Sequence, residues 1–151
     1  MTALTDQDLA ALRFAVPAAE SHVAEIARFL PGRTAQRLLA QDRIKLNDTV
    51  QNTVDAYAQL TRLRELAGYE PEGFTARNKR VEIAGSLMEL EGFLAGRGKH
   101  EQAATIRDLY LAEMKLIPAE DHPLMDESRA ELYEELGLPD PLNQPERQPG
   151  S

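Results

Sequence analysis

The side chains that could most directly bind another molecule are the cations between positions 33 and 45. This segment holds four cations and one carboxylate, an excess of three positive charges. Guanidinium groups pair bidentately with phosphate or a guanine edge, and glutamine can bond the edge of adenine. The alternative is a merely solvated helix face. The residues that we expect to contact double-stranded DNA are Arg33, Thr34, Gln36, Arg37, Gln41, Arg43 and Lys45.

Catalytic or metal-binding patterns are sparse. The chain has no cysteine, which excludes disulfides and thiolate chemistry. Its histidines, His22, His100 and His122, stand far apart, and none lies in a metal-ligand pair. Glu131 and Glu134 could supply half of the paired carboxylate motifs with which helical nucleotide pyrophosphohydrolases bind magnesium, but no Glu-x-x-Asp exists to complete them. We therefore expect neither a cofactor nor a metal, and no enzyme.

The elements that must position the cations read as helices, because apolar residues recur at intervals of three and four. Thr5 with Asp8 is a capping-box variant that predicts the first helix. Pro17 is expected to end that helix or to begin the second, which Pro31-Gly32 stops. A third helix then starts near Thr34, with Ala35, Leu38 and Leu39 turned inward. Residues 1–46 are therefore predicted to form a three-helix, helix-turn-helix unit.

The rest of the chain predicts an antiparallel helical hairpin or bundle. Gly68 is expected to end a helix in the left-handed conformation, and a Pro/Gly connection follows, with Thr75 as a cap. The predicted helices span residues 48–67, 76–95, 101–117 and 125–136. The predicted units after the first are a helical body, an acidic short helix and a disordered tail, over residues 47–117, 118–137 and 138–151.

The helix over 76–95 carries more apolar surface than one neighbour can cover. One interpretation is that this surface joins copies of the chain into a homo-oligomer. The other is that this helix is simply the central one of the bundle. The residues assigned to the self-association face are Leu87, Leu90, Phe93 and Leu94.

The stretch from Leu4-Thr5-Asp6-Gln7-Asp8 to Ile26-Ala27-Arg28-Phe29-Leu30-Pro31-Gly32-Arg33-Thr34-Ala35-Gln36 resembles the Myb/SANT type of three-helix DNA-binding repeat. The resemblance implies that the third helix enters the major groove through Thr34, Gln36, Arg37 and Gln41. Such repeats usually build their core on three tryptophans, whereas this chain has none. The corresponding positions fall near Leu4, His22 and Asp42.

The charge distribution separates the two parts of the chain. Residues 1–80 carry eleven Lys/Arg against ten Asp/Glu, whereas residues 81–151 carry six against fifteen. The acidic part could keep the chain soluble or dock a basic protein partner. The sequence shows neither an apolar run long enough for a membrane span nor a signal peptide, which favours a cytoplasmic location without membrane contact.

The sequence thus predicts a small DNA-binding protein without catalysis. Its layout is that of a transcriptional regulator or, by analogy, of a phage small terminase subunit. The alternatives are a helical adaptor that binds proteins through 81–94 or the acidic tail, and a magnesium-dependent nucleotide hydrolase.

Overall fold

The computed structural model describes residues 4–68 and 74–143, with side chains given from 77 onward in the second stretch. These residues form helices and no strand, so the predicted all-α fold is confirmed. The predicted connection after Gly68 and the side chain of Thr75 lie outside the described residues, as do residues 144–151. The helices are α1 (Asp6–Phe29), α2 (Arg33–Ala40), α3 (Leu46–Ala67), α4 (Phe74–Gly96), α5 (His100–Met114) and α6 (His122–Leu136).

Helix α1 begins as the sequence predicts but does not break. The Thr5 hydroxyl accepts from the Asp8 N–H at 3.1 Å, and Asp8 accepts from the Thr5 N–H at 3.0 Å, which confirms the capping box. The prediction of two helices separated at Pro17 is wrong, because α1 runs on for 24 residues. Pro17 lies on the exposed side, where water can satisfy the carbonyl that it cannot bond, while Val16 and Glu20 are buried.

The unit expected to contain three helices therefore contains two, α1 and α2. Positions that correspond to the tryptophans of the Myb/SANT repeat are all exposed in this chain: Leu4, His22 and Asp42. Helix α1 packs along α3 and α4. Its apolar residues belong to the same hydrophobic core cluster as those of α3, α4, α5 and α6. The predicted boundary at residue 46 thus falls between two segments that share a core.

Contacts between helices fix their relative directions. The Arg13 side chain bonds the Ala67 carbonyl, so the start of α1 meets the end of α3. Gln102 donates to Asn47, so the start of α5 lies beside the start of α3. The α4–α5 turn precedes α5 directly. One end of the bundle therefore holds the start of α3, the connection that leads into α3 and the α4–α5 turn.

Helix α4 lies at the centre, in contact with α1, α5 and α6. Leu87, Leu90 and Leu94 are completely buried in the chain's own core, and Phe93 is half-buried beneath the Arg97 guanidinium. These side chains therefore do not form the exposed face that was expected to join copies of the chain. Burial favours the other interpretation, in which α4 is the central helix, and self-association stays a prediction.

Arg64 joins three helices in the interior. Its Nη1 donates to Glu113 Oε1 at 2.8 Å and its Nη2 to Glu20 Oε2 at 2.8 Å. The Tyr57 hydroxyl also donates to Glu113, at 3.0 Å. Burial alone would lower the pKa of Arg64, but the hydrogen bonds and charges of Glu113 and Glu20 outweigh it and raise that pKa. Arg64 therefore stays charged and ties α1, α3 and α5 together.

Arg129 of α6 organises a second buried network. Its Nη1 and Nη2 donate to the two oxygens of Glu91 at 2.8 and 2.6 Å, and its Nε donates to Asp140 at 2.9 Å. Glu91 also accepts from the Tyr133 hydroxyl and, at 3.1 Å, from Arg107. The bidentate pair fixes the register of α6 on α4.

The segment after α6 packs against the protein, in contrast to the disordered tail predicted from residue 138. Leu138 packs against the core and Asp140 pairs with Arg129. Asp140 also accepts from the Leu142 N–H at 2.9 Å. These contacts order residues 138–143 because a carboxylate eleven residues from Arg129 completes its hydrogen bonds. Helix periodicity carries no signal for such a contact.

Candidate nucleic-acid interface

The turn into α2 is set by Pro31 and Gly32. Gly32 is the extended residue before the helix, and its carbonyl accepts from the Gln36 N–H at 3.1 Å. A Cβ at position 32 would lie 3.2 Å from the Phe29 carbonyl oxygen, so a larger residue would crowd the end of α1. The Gln36 side chain donates to the Pro31 carbonyl at 2.7 Å. The angle between α1 and α2 is thus fixed by contacts among Phe29, Pro31, Gly32 and Gln36.

Helix α2 presents the face that the sequence predicts. Ala35 is completely buried, Leu39 packs half-buried against the core, and Leu38 is half-buried. Arg37 and Ala40 are exposed on the opposite side. Because the Ala35 side chain is small, the backbone of α2 lies close to the hydrophobic core. The polar face of α2 points away from the bundle.

All of the residues predicted to contact DNA are exposed. Thr34 and Arg37 lie on α2, and Gln41 immediately follows it. Arg43 and Lys45 stand in the connection to α3. Gln36 is already engaged by the Pro31 carbonyl. It therefore supports the turn, and a base contact would require this bond to break.

The cations of this segment have no ion partner in the part of the chain that the structure describes. Arg33, Arg37, Arg43 and Lys45 form no salt bridge with any described residue. Asp42, the acidic residue among them, has a left-handed φ of 56°. The positive charge is therefore available to an external anion.

The structure adds two cations that lie outside the segment predicted to contact DNA. Arg97 and Lys99 are exposed in the α4–α5 turn. Because Gln102 bonds Asn47, this turn lies beside the start of α3, two residues after Lys45. We use the name basic end for residues 33–45, which lead into the start of α3, together with residues 97–99. No local sequence signal could have joined these two segments, since the bundle brings them together.

Helix termini add partial positive charge to the basic end. The residues that precede α2, α3 and α5 are Gly32, Lys45 and Lys99, and none of them provides a side-chain cap. Unpaired N–H groups in the first turns therefore remain available, and the helix dipoles favour an anion there. The surface is bounded on one side by α6, whose Leu136 lies against Gly96 and whose Glu134 and Glu135 are exposed.

The groups considered for metal chemistry are dispersed. Glu131 and Glu134 are exposed on α6, and within the described residues no three His, Asp or Glu side chains gather in a group that could hold a metal ion. His122 Nε2 lies 2.9 Å from the carbonyls of both Met114 and Ile117. As a donor, it caps the end of α5.

Comparison with known proteins shows that no protein-family model, curated protein or solved structure matches this chain. None of the described helices combines the length and the apolar composition that a bilayer crossing requires.

Proposed function

We propose that this α-helical protein binds double-stranded DNA with its basic end and carries out no catalytic step. The observation that carries the proposal is the set of exposed cations in 33–45 without an ion partner among the described residues. The chain elsewhere buries arginines against carboxylates, as at Arg64 and Arg129. Guanidinium groups that are exposed, clustered and unpaired can each bind a phosphate of a nucleic-acid backbone.

The residues divide into two roles. Arg33, Arg43 and Lys45 would hold phosphates, because they flank the exposed face of α2 at its start and beyond its end. Gln41 would reach a base edge, and Arg37, one helical turn before it, would bond either a base edge or a phosphate. The net charge of −8 does not oppose this, since binding depends on the local excess of cations.

The adaptor alternative loses one of its two supports. It relied on an apolar face over 81–94, and Leu87, Leu90 and Leu94 of that segment are buried within the chain. Its other support, the acidic C-terminal part, stays a prediction. The magnesium hydrolase alternative likewise has no carboxylate group gathered for a metal among the described residues.

The test is fluorescence anisotropy of a labelled DNA duplex titrated with the protein at several salt concentrations. If the four cations of 33–45 neutralise phosphates, log affinity should fall against log salt with a slope of roughly 3 to 4. Arg33→Ala/Arg37→Ala should weaken binding and reduce that slope by about 2.

A matched control has the same net charge as the Arg33→Ala/Arg37→Ala variant. Arg62 and Lys115 are exposed, and neither pairs with a described carboxylate, but they lie toward the other end of α3 and α5. Arg62→Ala/Lys115→Ala should leave affinity and slope near those of the unaltered protein. Equal weakening by both pairs, or an affinity independent of salt, contradicts the proposal.

A further inference from the structure

A cleft of about 640 Å³ opens between α5, α6 and the segment after α6, away from the α2 surface. Its walls include Leu111, Met114, Ala130 and Leu142. Pockets that bind small molecules typically measure about 300–1,000 Å³ and are mostly apolar with a few polar groups. The cleft has the size and the wall chemistry of such a pocket.

Tyr110 supplies a polar group that the chain itself does not use. Its side chain lines the cleft and is 2% exposed, with the ring against the Arg129 guanidinium at 5.1 Å. Its hydroxyl is buried and has no hydrogen-bond partner among the described residues. The hydroxyls of Tyr57 and Tyr133 both donate to glutamates. A buried hydroxyl without a partner costs free energy, so a group that pairs with it in the cleft is favoured.

Charges around the cleft are balanced. The Arg129 guanidinium is held by Glu91 and Asp140, and its Nη groups donate to Glu91 at 2.8 and 2.6 Å. The other charged groups of the lining are Lys115 and Asp126, which are exposed and of opposite sign. Neither an anion nor a cation therefore gains from entering.

We propose that the cleft binds a small uncharged molecule with an apolar body and a carbonyl or carboxamide oxygen that accepts a hydrogen bond from Tyr110. The apolar body packs between Leu111 and Ala130, and the acceptor pairs with the Tyr110 hydroxyl. Burial raises the pKa of Tyr110, so the hydroxyl keeps its proton at neutral pH and can donate. This site is separate from the basic end, and its test involves no DNA.

The probe is benzamide, with benzoate and benzylamine as charged analogues, titrated into isotope-labelled full-length protein and followed by amide NMR. Benzamide should shift the amide signals of Leu111, Ala130 and Leu142, and both charged analogues should bind more weakly. Equal binding of the three probes, or no shift with benzamide up to its solubility limit, overturns the proposal.

Two variants separate binding from folding. Tyr110→Phe keeps the ring but removes the hydroxyl, so it should weaken benzamide by roughly 3- to 10-fold. The same variant should unfold at an unchanged or higher temperature, because a buried unpaired group is lost. Unchanged affinity, or a lower unfolding temperature, shows that the hydroxyl serves the fold and overturns the proposal.

Ala130→Trp fills the cleft from an exposed position and should abolish the shifts while the rest of the spectrum persists. A chain that ends at Asn143 tests whether residues 144–151 are the natural occupant. Affinity for benzamide should be the same in the shortened chain. A marked gain in affinity would instead assign the cleft to the C-terminal residues and overturn the proposal.

Discussion

Two sets of arginines in this protein have opposite surroundings. Arg64 and Arg129 are buried, and each is bonded to two carboxylates from other parts of the chain. Arg33, Arg37 and Arg43 are exposed and form no salt bridge with a described residue. Arginine therefore has two roles in this protein. In the core, its charge holds helices against one another through ion pairs. At the basic end, its charge is available to an external anion.

The difference follows from the helices that carry each set. Arg64 and Arg129 lie on long helices that are packed into the bundle, so carboxylates of neighbouring helices come within reach. Arg33 and Arg37 lie on an eight-residue helix that is held against the core through Ala35 and Leu39. That support covers one side of α2 and leaves the cationic side without a neighbouring helix.

The largest effect expected from this comparison is on stability. Arg64→Ala leaves Glu20 and Glu113 buried without their cation, and removing one partner of a buried pair typically costs about 3–5 kcal/mol. The free energy of unfolding from urea titration measures the loss. Arg33→Ala is the control and should change that free energy by less than about 0.5 kcal/mol. Similar losses in the two variants would remove the distinction between the two sets.

Alkaline pH probes the second buried network. Burial first, and then the hydrogen bond to Glu91, raises the pKa of Tyr133 from 10.0 to about 12. Below pH 10 both the folded and unfolded states hold the proton, and the full stability is present. Between pH 10 and 12 the unfolded chain releases its proton first, so stability falls as pH rises, by about 2–3 kcal/mol.

Urea titrations at pH 9, 10 and 11 should record about 1–1.5 kcal/mol of this fall, the part that precedes the pKa of the folded state. Tyr133→Phe should reduce it, because the variant has no phenol to ionise at this position. The same slope in the variant would show that Tyr57 and Tyr110, whose pKa values burial also raises, account for the whole effect.

Sequence patterns correctly predicted the structural features that depend on residues close together in the chain. The capping box of Thr5 and Asp8, the left-handed Gly68 after α3 and the inward face of Ala35 each follow from residues within a few positions. Pro17 was misjudged because its local preference to break a helix is overridden by the packing of α1 against α3 and α4.

Long-range contacts could not be predicted. The partners of Arg64 are 44 and 49 residues away, and Arg129 meets Glu91 across 38 residues. Helical periodicity gives the inward face of each helix but not which helices meet. For the same reason, the exposed side of α2 was predicted, whereas the position of Arg97 and Lys99 beside the start of α3 was not.

Glycines of α4 test whether close helix packing maintains the Arg129 network. A Cβ at Gly92 would lie 2.8 Å from Leu132 Cδ2, while one at Gly85 would meet nothing within 4 Å. Gly92→Ala should push α6 away from Glu91 and cost about 1–2 kcal/mol. Gly85→Ala should instead stabilise the protein by about 0.5–1 kcal/mol, because alanine favours a helix. Urea titration compares the two, and stabilisation by both would mean that α6 does not need this close approach.

The smallest effect concerns the acidic border of the basic end. Glu134 and Glu135 lie on the last turn of α6, whose Leu136 contacts Gly96 beside Arg97. Glu134→Gln/Glu135→Gln removes two negative charges there and should raise affinity for a DNA duplex by about 2- to 4-fold at low salt. The gain should fade as salt shortens the reach of these charges, since both are exposed.

A matched pair, Glu65→Gln/Glu127→Gln, removes the same charge from exposed positions at the end of α3 and the start of α6. If net charge alone governed the affinity, both pairs would raise it equally. If duplex binding depends on the local field around the unpaired arginines, only the pair beside Arg97 should do so. Anisotropy titrations of the two variants at two salt concentrations therefore ask whether the basic end acts as a surface of its own within an acidic protein.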